Sequence, residues 1–365
     1  MKNIYKYFIP TENIVTRGGL TDIAALLPST CKMVLLVTGK SSAKKFGYTD
    51  NIIDSLKSAG INTIVFDQVE EDPSVETADA AAKIALENNC DTVIGLGGGS
   101  ALDAAKAAAI GGATGISIEK LLDMKEKPKE KLFFVAVPTT AGTGSEATQY
   151  SLLSNKEKNS KLNLATENSF PDVALLDAEL TVSMTENLTR NTGVDALAHA
   201  IEGYLTTRAN PFTDILAESA IATVAENIHK VIDNPNDISA REKMLIASNI
   251  AGRVIAHTGT SACHALGYYL TLVNGLPHGL ANAVLLGKIV KWVSEFSPGK
   301  VDVIERILKN NVDDFMKSLN IDVSLSNYNL TDEDLINMAD IAAGRSSTKA
   351  TPGSPSANEL VELLK

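Results

Sequence analysis

The sequence predicts an α/β, doubly wound amino-terminal domain with a mostly parallel sheet, followed by an all-α carboxy-terminal domain. Short apolar runs alternate with helical patterns through the first half, strand signals stop near Leu180, and long helical periodicities fill the remainder. At 365 residues the chain is long enough for two domains, placed at residues 1–180 and 181–365.

The runs at residues 33–38 (MVLLVT), 62–66 (NTIVF), 92–96 (TVIGL), 132–137 (LFFVAV) and 173–176 (VALL) have the length and apolar content of buried strands. Residues 50–59 and 77–88, between the early runs, carry apolar residues at helical spacing. The connections are therefore βαβ and the layout Rossmann-like. Helical patterns then cover 195–206, 213–232, 240–257, 279–295, 301–319 and 331–343, and Ser356-Ala-Asn-Glu359 has capping-box spacing ahead of a last helix. With no repeat and no flexible linker, a rigid cleft between the two domains is the expected place for a ligand.

A composition of 44% hydrophobic and 21% charged residues suits a soluble globular protein. No apolar run reaches the ~18 residues of a membrane span, and the start MKNIYKYFIPTEN lacks the apolar segment of a secretory signal. Cys31, Cys90 and Cys263 form no close pair and leave an odd thiol, which favours the reducing cytoplasm over a disulfide framework. The net charge of −11 opposes nucleic acid and anionic membrane as partners. Small-molecule chemistry becomes the default, and with only five histidines in the chain any ligand-like grouping of them carries weight.

Residues 94–100 (IGLGGGS) lead from a strand straight into a helix. Glycines at Gly97, Gly98 and Gly99 let the backbone approach a diphosphate, and the free N–H groups and dipole of the helix favour its charge. The same turn reads equally as a tight strand-to-helix connection in which Ser100 and Asp103 form a capping box. A second small-residue loop, residues 138–146 (PTTAGTGSE), follows the next strand, and two such loops at neighbouring strand ends favour a bound nucleotide.

Asp195 and His199 stand four apart in a helical pattern, which puts carboxylate and imidazole on one face. Alone, such a pair is more often a surface interaction than a metal site. His264 and, fourteen residues later, His278 in Leu276-Pro277-His278-Gly279 supply two more imidazoles, with proline and glycine fixing the loop. Three imidazoles and a carboxylate suit Fe²⁺ or Zn²⁺ with a position left open for substrate oxygen, and the absence of a cysteine ligand removes one reason to prefer zinc. His229 and His257 have no partner at ligand spacing and read as structural.

The stretches GLGGGSALDAAKA, VPTTAGTGSEAT, GVDALAHAIEGYLT and LPHGLANAVLL, spread from residue 95 to residue 286, together resemble the iron-containing (group III) alcohol dehydrogenase family. The resemblance implies an NAD(P)-linked alcohol dehydrogenase or aldehyde reductase for small primary alcohols, diols or aldehydes, at least dimeric, with Asp195, His199, His264 and His278 as metal ligands. It implies diphosphate contacts from Gly98, Gly99 and Ser100, and cofactor contacts from Thr139 and Thr140. Gly97, Thr143, Ser145 and Thr148 join that cofactor set. Lys161 is implied near the nicotinamide ribose, Asp72-Pro73 near the adenosine, and the N-terminal strand near residues 5–9 at the dimer contact.

The chain departs from the family pattern twice. Many members carry a further histidine four residues after the third ligand; gap-free alignment from His278 puts Tyr268 there, and a phenol is the poorer proton shuttle at neutral pH. Equating His264 with that extra histidine would leave Thr260 as ligand and require a four-residue insertion. The second departure follows the first predicted strand, where NAD-preferring members often have an aspartate. Here Gly39, Lys40, Ser41 and Ser42 offer a cation and hydroxyls to a 2′-phosphate, which favours NADP over NAD. The rival readings are a dehydroquinate-synthase-like or glycerol-dehydrogenase-like enzyme on the same fold, and a non-catalytic nucleotide-binding assembly protein.

Overall fold

The computed structural model describes residues 5–155 and 160–365. Its strands are β1 (Glu12–Thr16), β2 (Met33–Gly39), β3 (Asn62–Val69), β4 (Thr92–Gly97), β5 (Phe133–Pro138), β6 (Leu152–Asn155), β7 (Ser160–Asn163) and β8 (Val173–Asp177). Six of them form an all-parallel sheet in the order β1-β8-β5-β4-β2-β3, and β6 and β7 form a separate antiparallel hairpin. One compact unit comprises Phe8–Thr140 and Gly144–Ser183; a second comprises Met184–Lys365 with Ala141–Thr143 and the described part of Met1–Tyr7.

The central strands are apolar throughout because both faces of the sheet are covered. Val34, Leu36, Ile94 and Val135 pack on one face with Ile23, Ile52 and Leu56, whereas Leu35, Val37, Val93 and Phe134 pack on the other with Ala81, Ala85, Ala105 and Ala108. Successive strand residues thus enter opposite cores, which gives continuous rather than alternating hydrophobicity. From β2 the chain steps outward to β3 and then returns to the other side of β2 as β4. The switch point therefore lies between the carboxyl ends of β2 and β4, where open parallel sheets bind ligands.

The second unit is helical. Its longer members are Glu186–Leu205, Pro211–Asp233, Ile238–Thr258, Ala262–Leu272, His278–Ser294, Pro298–Leu308 and Asp332–Ala343. Ser356 caps the last helix, Ala357–Leu364, in a full capping box with Glu359. Several sequence expectations need correction. The expected 301–319 helix is broken by Lys309, whose left-handed φ of 58° ends its first part at Leu308. The Asp195 helix begins nine residues before that residue, at Glu186, because Thr185 accepts from Leu188 N as its cap and Gly193 is interior. Residues 5–9 form no strand; pairing starts where Glu12 N donates to Asp172 O, at 2.9 Å. The strand β1, the β6–β7 hairpin and the Ala262–Leu272 helix escape a reading based on apolar runs.

Among the described residues no helix is long and apolar enough to cross a membrane. The three cysteines are free. Burial pushes the Cys31 and Cys90 thiols up to about 11 and that of Cys263 well above its ordinary range, which leaves them unreactive near neutral pH.

Candidate active site

Three segments of the helical unit carry the predicted ligands: Asp195 and His199 on the 186–205 helix, His264 on the 262–272 helix, and His278 at the first position of the 278–294 helix. Glycine allows the last of these to approach. A Cβ on Gly279 would lie 1.9 Å from the carbonyl oxygen of Asn191 and 3.2 Å from the Asp195 Cβ, so the two helices meet backbone to backbone. Gly279→Ala should push His278 away from Asp195 and weaken metal binding at least about tenfold, the scale set by disturbing a group that orients a ligand. Chelator competition measures this, and an unchanged affinity would refute the packing argument.

Asp195, His199 and His264 are all buried and present ligand atoms within 4.8 Å of one another. His278 joins them with its Nε2 3.8 Å from Asp195 Oδ1, and His264 Nε2 is 3.7 Å from the same oxygen. The tautomers are assigned from the partners of the other ring nitrogens. His199 Nδ1 donates to Gly142 O at 3.3 Å, and His264 Nδ1 donates to the Glu202 carboxylate. Both Nε2 atoms then carry lone pairs, yet they stand 3.0 Å apart. Two lone pairs aimed at each other repel unless a proton or a cation lies between them, so the donor set fits a metal.

The charges at Asp195 and His199 agree with this reading. Burial alone would push the Asp195 carboxyl up, but His199, His278, His264 and the Asn282 amide outweigh it and hold Asp195 below the ordinary carboxylate range. Burial, helped by the neighbouring His264, holds His199 down, as a neutral ligand requires. At His264 burial works in the same direction, but Glu202 and Asp195 outweigh it and raise the imidazole.

Two site residues escaped the sequence reading. Glu202, one turn beyond His199, is 1% exposed and reaches His264. Asn282, one turn beyond His278, is fully buried, and its Nδ2 lies 3.0 Å from Asp195 Oδ1, 3.0 Å from His264 Nε2 and 3.3 Å from His278 Nε2. Its two hydrogens serve at most two of those three acceptors, and its Oδ1 has no hydrogen-bond partner. The only available signal was the i+3 or i+4 spacing from a ligand.

Tyr268 stacks on His278 with ring centroids 5.5 Å apart, and the Arg345 guanidinium lies 5.4 Å from its ring. The adjacent Tyr269 donates its hydroxyl to Asp334 at 2.9 Å, because neighbouring helical residues point about 100° apart. His257 stacks on Tyr7 and His229 meets Ser318 Oγ at 3.1 Å, both away from the cluster.

In the sheet unit, the β2 and β4 ends carry the two predicted phosphate-binding segments. Gly39 closes β2, and the exposed Lys40, Ser41 and Ser42 follow it. Gly97 closes β4 at φ 149°, where a Cβ would lie 2.8 Å from Ala101, so the turn into the Gly99–Thr114 helix requires glycine. Gly98 caps that helix without a side-chain bond. Ser100 and Asp103 therefore do not form the alternative capping box: Ser100 Oγ accepts from Asp72 N at 3.2 Å, and Asp103 accepts from Ser145 Oγ at 2.7 Å and Leu152 N at 3.0 Å.

Lys161 and Asp72, assigned by resemblance to different parts of the dinucleotide, are joined by an ion pair of 2.7 Å. Asp72 has a left-handed φ of 53°, a strained value of the kind that gathers at functional sites. Thr139 N donates to Gly97 O at 2.9 Å, and Thr140 lies beside Gly98. Ser145 and Thr148 are buried and accept from Lys106 Nζ at 2.7 and 3.3 Å, so their hydroxyls brace the loop from within. Thr143 is grouped with the helical unit, next to Gly142.

Comparison with known proteins points to one family. A family model described as iron-containing alcohol dehydrogenase matches residues 10–178, and one for the C-terminal part of the Fe-containing alcohol dehydrogenase family matches residues 189–365. The NADPH-dependent butanol dehydrogenase of Clostridium saccharobutylicum is 33% identical over 96% of this chain and 93% of its own. The NAD-dependent methanol dehydrogenase of Bacillus methanolicus is 31% identical over 76% and 73%. The crystal structure of an iron-containing alcohol dehydrogenase from Thermotoga maritima superposes with a TM-score of 0.89 at 37% identity, covering 99% of this chain and 98% of that one.

Proposed function

We propose, for a chain that belongs to the iron-containing alcohol dehydrogenase family and is an alcohol dehydrogenase, that it interconverts small primary alcohols or diols and their aldehydes with NADP in preference to NAD. In this reading Asp195, His199, His264 and His278 hold a divalent metal, Fe²⁺ first among the candidates, in the 181–365 domain, and the 1–180 domain carries the dinucleotide. The enzyme works as a homodimer or larger homo-oligomer in the cytoplasm.

The observation that carries the reading is the pair of histidine Nε2 atoms 3.0 Å apart beside a buried carboxylate. When bound, the cation supplies Lewis-acid polarisation of the alcohol or carbonyl oxygen and the nicotinamide accepts or delivers hydride. The chain's own residues prepare that chemistry. Gly142 O and Glu202 hold two imidazoles in the ligating tautomer, Asn282 donates to Asp195, and Tyr268 covers one face of His278. Gly97, Gly98, Gly99 and Ser100 supply a backbone cradle at the start of a 16-residue helix.

The coenzyme preference rests on Lys40, Ser41 and Ser42, since the two relatives divide between NADPH and NAD by their names. An exposed ammonium and two hydroxyls beside the switch point suit a 2′-phosphate. Two measurements test the proposal: metal content of anaerobically purified protein, and NADPH against NADH oxidation with a panel of short aldehydes. Lys40→Ala should lower kcat/KM with NADPH by about tenfold or more, the value of one charge-assisted hydrogen bond, and leave NADH unchanged. Equal losses with both coenzymes, or a wild-type preference for NADH, would reverse the assignment.

A further inference from the structure

We infer that Glu202 is the positioning residue of the metal centre: it sets the tautomer and the angle of His264 so that Nε2 is delivered as a ligand. This deepens the proposed metal site and rests on it. Glu202 and His199 lie three residues apart on the same helix, so one element supplies both a ligand and the support of a second ligand from another helix. The carboxylate is saturated. Oε1 accepts from Ser261 N at 2.8 Å, Ser261 Oγ at 2.6 Å and His264 N at 3.2 Å, and Oε2 accepts from His264 Nδ1. Ser261 is also the N-cap of the 262–272 helix, donating to Glu202 while its hydroxyl oxygen accepts from Cys263 N at 3.4 Å.

Each contact restricts one freedom of His264. The bonds to Ser261 N and His264 N fix the backbone at the start of the helix, and Oε2 fixes the ring about its own axis. An ionised carboxylate has no proton to give, so Nδ1 must be the donor and Nε2 the bearer of the lone pair. A buried carboxylate with no role is costly, and here Ser261 and His264 supply donors to both of its oxygens. A carboxylate behind a ligating imidazole also raises the basicity of that ligand.

Glu202→Gln tests this. The amide oxygen can keep the Ser261 and His264 backbone bonds, but the NH₂ group then faces Nδ1 and selects the tautomer that carries its proton on Nε2. Co²⁺ is the probe, with affinity read by chelator competition and ligand geometry by its visible d–d bands, on full-length wild-type protein, Glu202→Gln and Ser261→Ala. The expected result is a ten- to hundredfold weaker Co²⁺ affinity and altered bands for Glu202→Gln. Ser261→Ala leaves the Nδ1 contact in place and should stay within about threefold of wild type. Wild-type affinity and bands in Glu202→Gln would overturn the assignment. So would a loss matched by an equal loss of thermal stability in the metal-free protein, which would make Glu202 a fold residue. If wild-type protein itself takes up no Co²⁺, the metal reading fails instead.

Discussion

Replacing His264 with alanine should empty the metal site and lower kcat/KM for aldehyde reduction at least about a thousandfold. The magnitude follows from the several kcal/mol a Lewis acid contributes at a developing oxyanion, with each ~1.4 kcal/mol worth tenfold in rate. His264 is the residue to choose because it stands at the middle of the cluster. Its Nε2 is 3.0 Å from His199 Nε2 and 3.7 Å from Asp195 Oδ1, and its ring meets that of His278 edge-on at 5.2 Å. Glu202 keeps its Ser261 contacts in the variant, so the helix start remains anchored. Metal per chain by elemental analysis, steady-state kinetics and circular dichroism together decide the matter. A metal-free, fully active His264→Ala protein would remove the metal from the mechanism.

Lys106→Met should destabilise the sheet unit by about 3–5 kcal/mol, the cost of leaving buried charge without its partner, and should weaken coenzyme binding. Lys106 is 1% exposed and donates to Ser145 Oγ at 2.7 Å, Tyr150 O at 2.6 Å and Thr148 Oγ1 at 3.3 Å, with Asp103 Oδ1 at 3.6 Å. Methionine fills the same channel but leaves Asp103 and Glu146 buried without their cation, and it frees the loop that follows β5. Denaturant titration reads the first effect and a coenzyme binding isotherm the second; unchanged values in both would show the strut to be dispensable.

The same lysine makes a pH prediction. Burial pulls Lys106 down to about 8 against the attraction of Asp103 and Glu146. The unfolded chain therefore binds the extra proton between pH ~8 and ~10.5, and stability from this group rises with pH across that window. The wild-type advantage over Lys106→Met should widen between pH 8 and 10. A difference that narrows there would mean the lysine stays charged in the fold.

The sheet strands with apolar residues on both faces were legible because two-sided burial writes itself into the sequence as unbroken runs such as MVLLVT and LFFVAV. β1 was not. Its pattern, ENIVT, is half exposed at the sheet edge, and only pairing with β8 makes it a strand. The helix break at Lys309 was hidden for a related reason, since one left-handed residue leaves apolar periodicity intact on either side.

The sequence by itself determined the layout of a parallel α/β unit followed by a helical one, the four candidate ligands and the glycine turn, because periodicity, glycine and ligand-type residues are local properties. Only the tertiary structure decided what holds those groups in place. Glu202 behind His264, Asn282 among the ligand atoms, Lys106 beneath the second loop and Gly279 against Asn191 are contacts between segments distant in the chain or on different faces of a helix. A carboxylate, an amide, a lysine or a glycine has no distinctive spacing of its own, and each acquires its role from the low-dielectric, close-packed surroundings into which folding carries it.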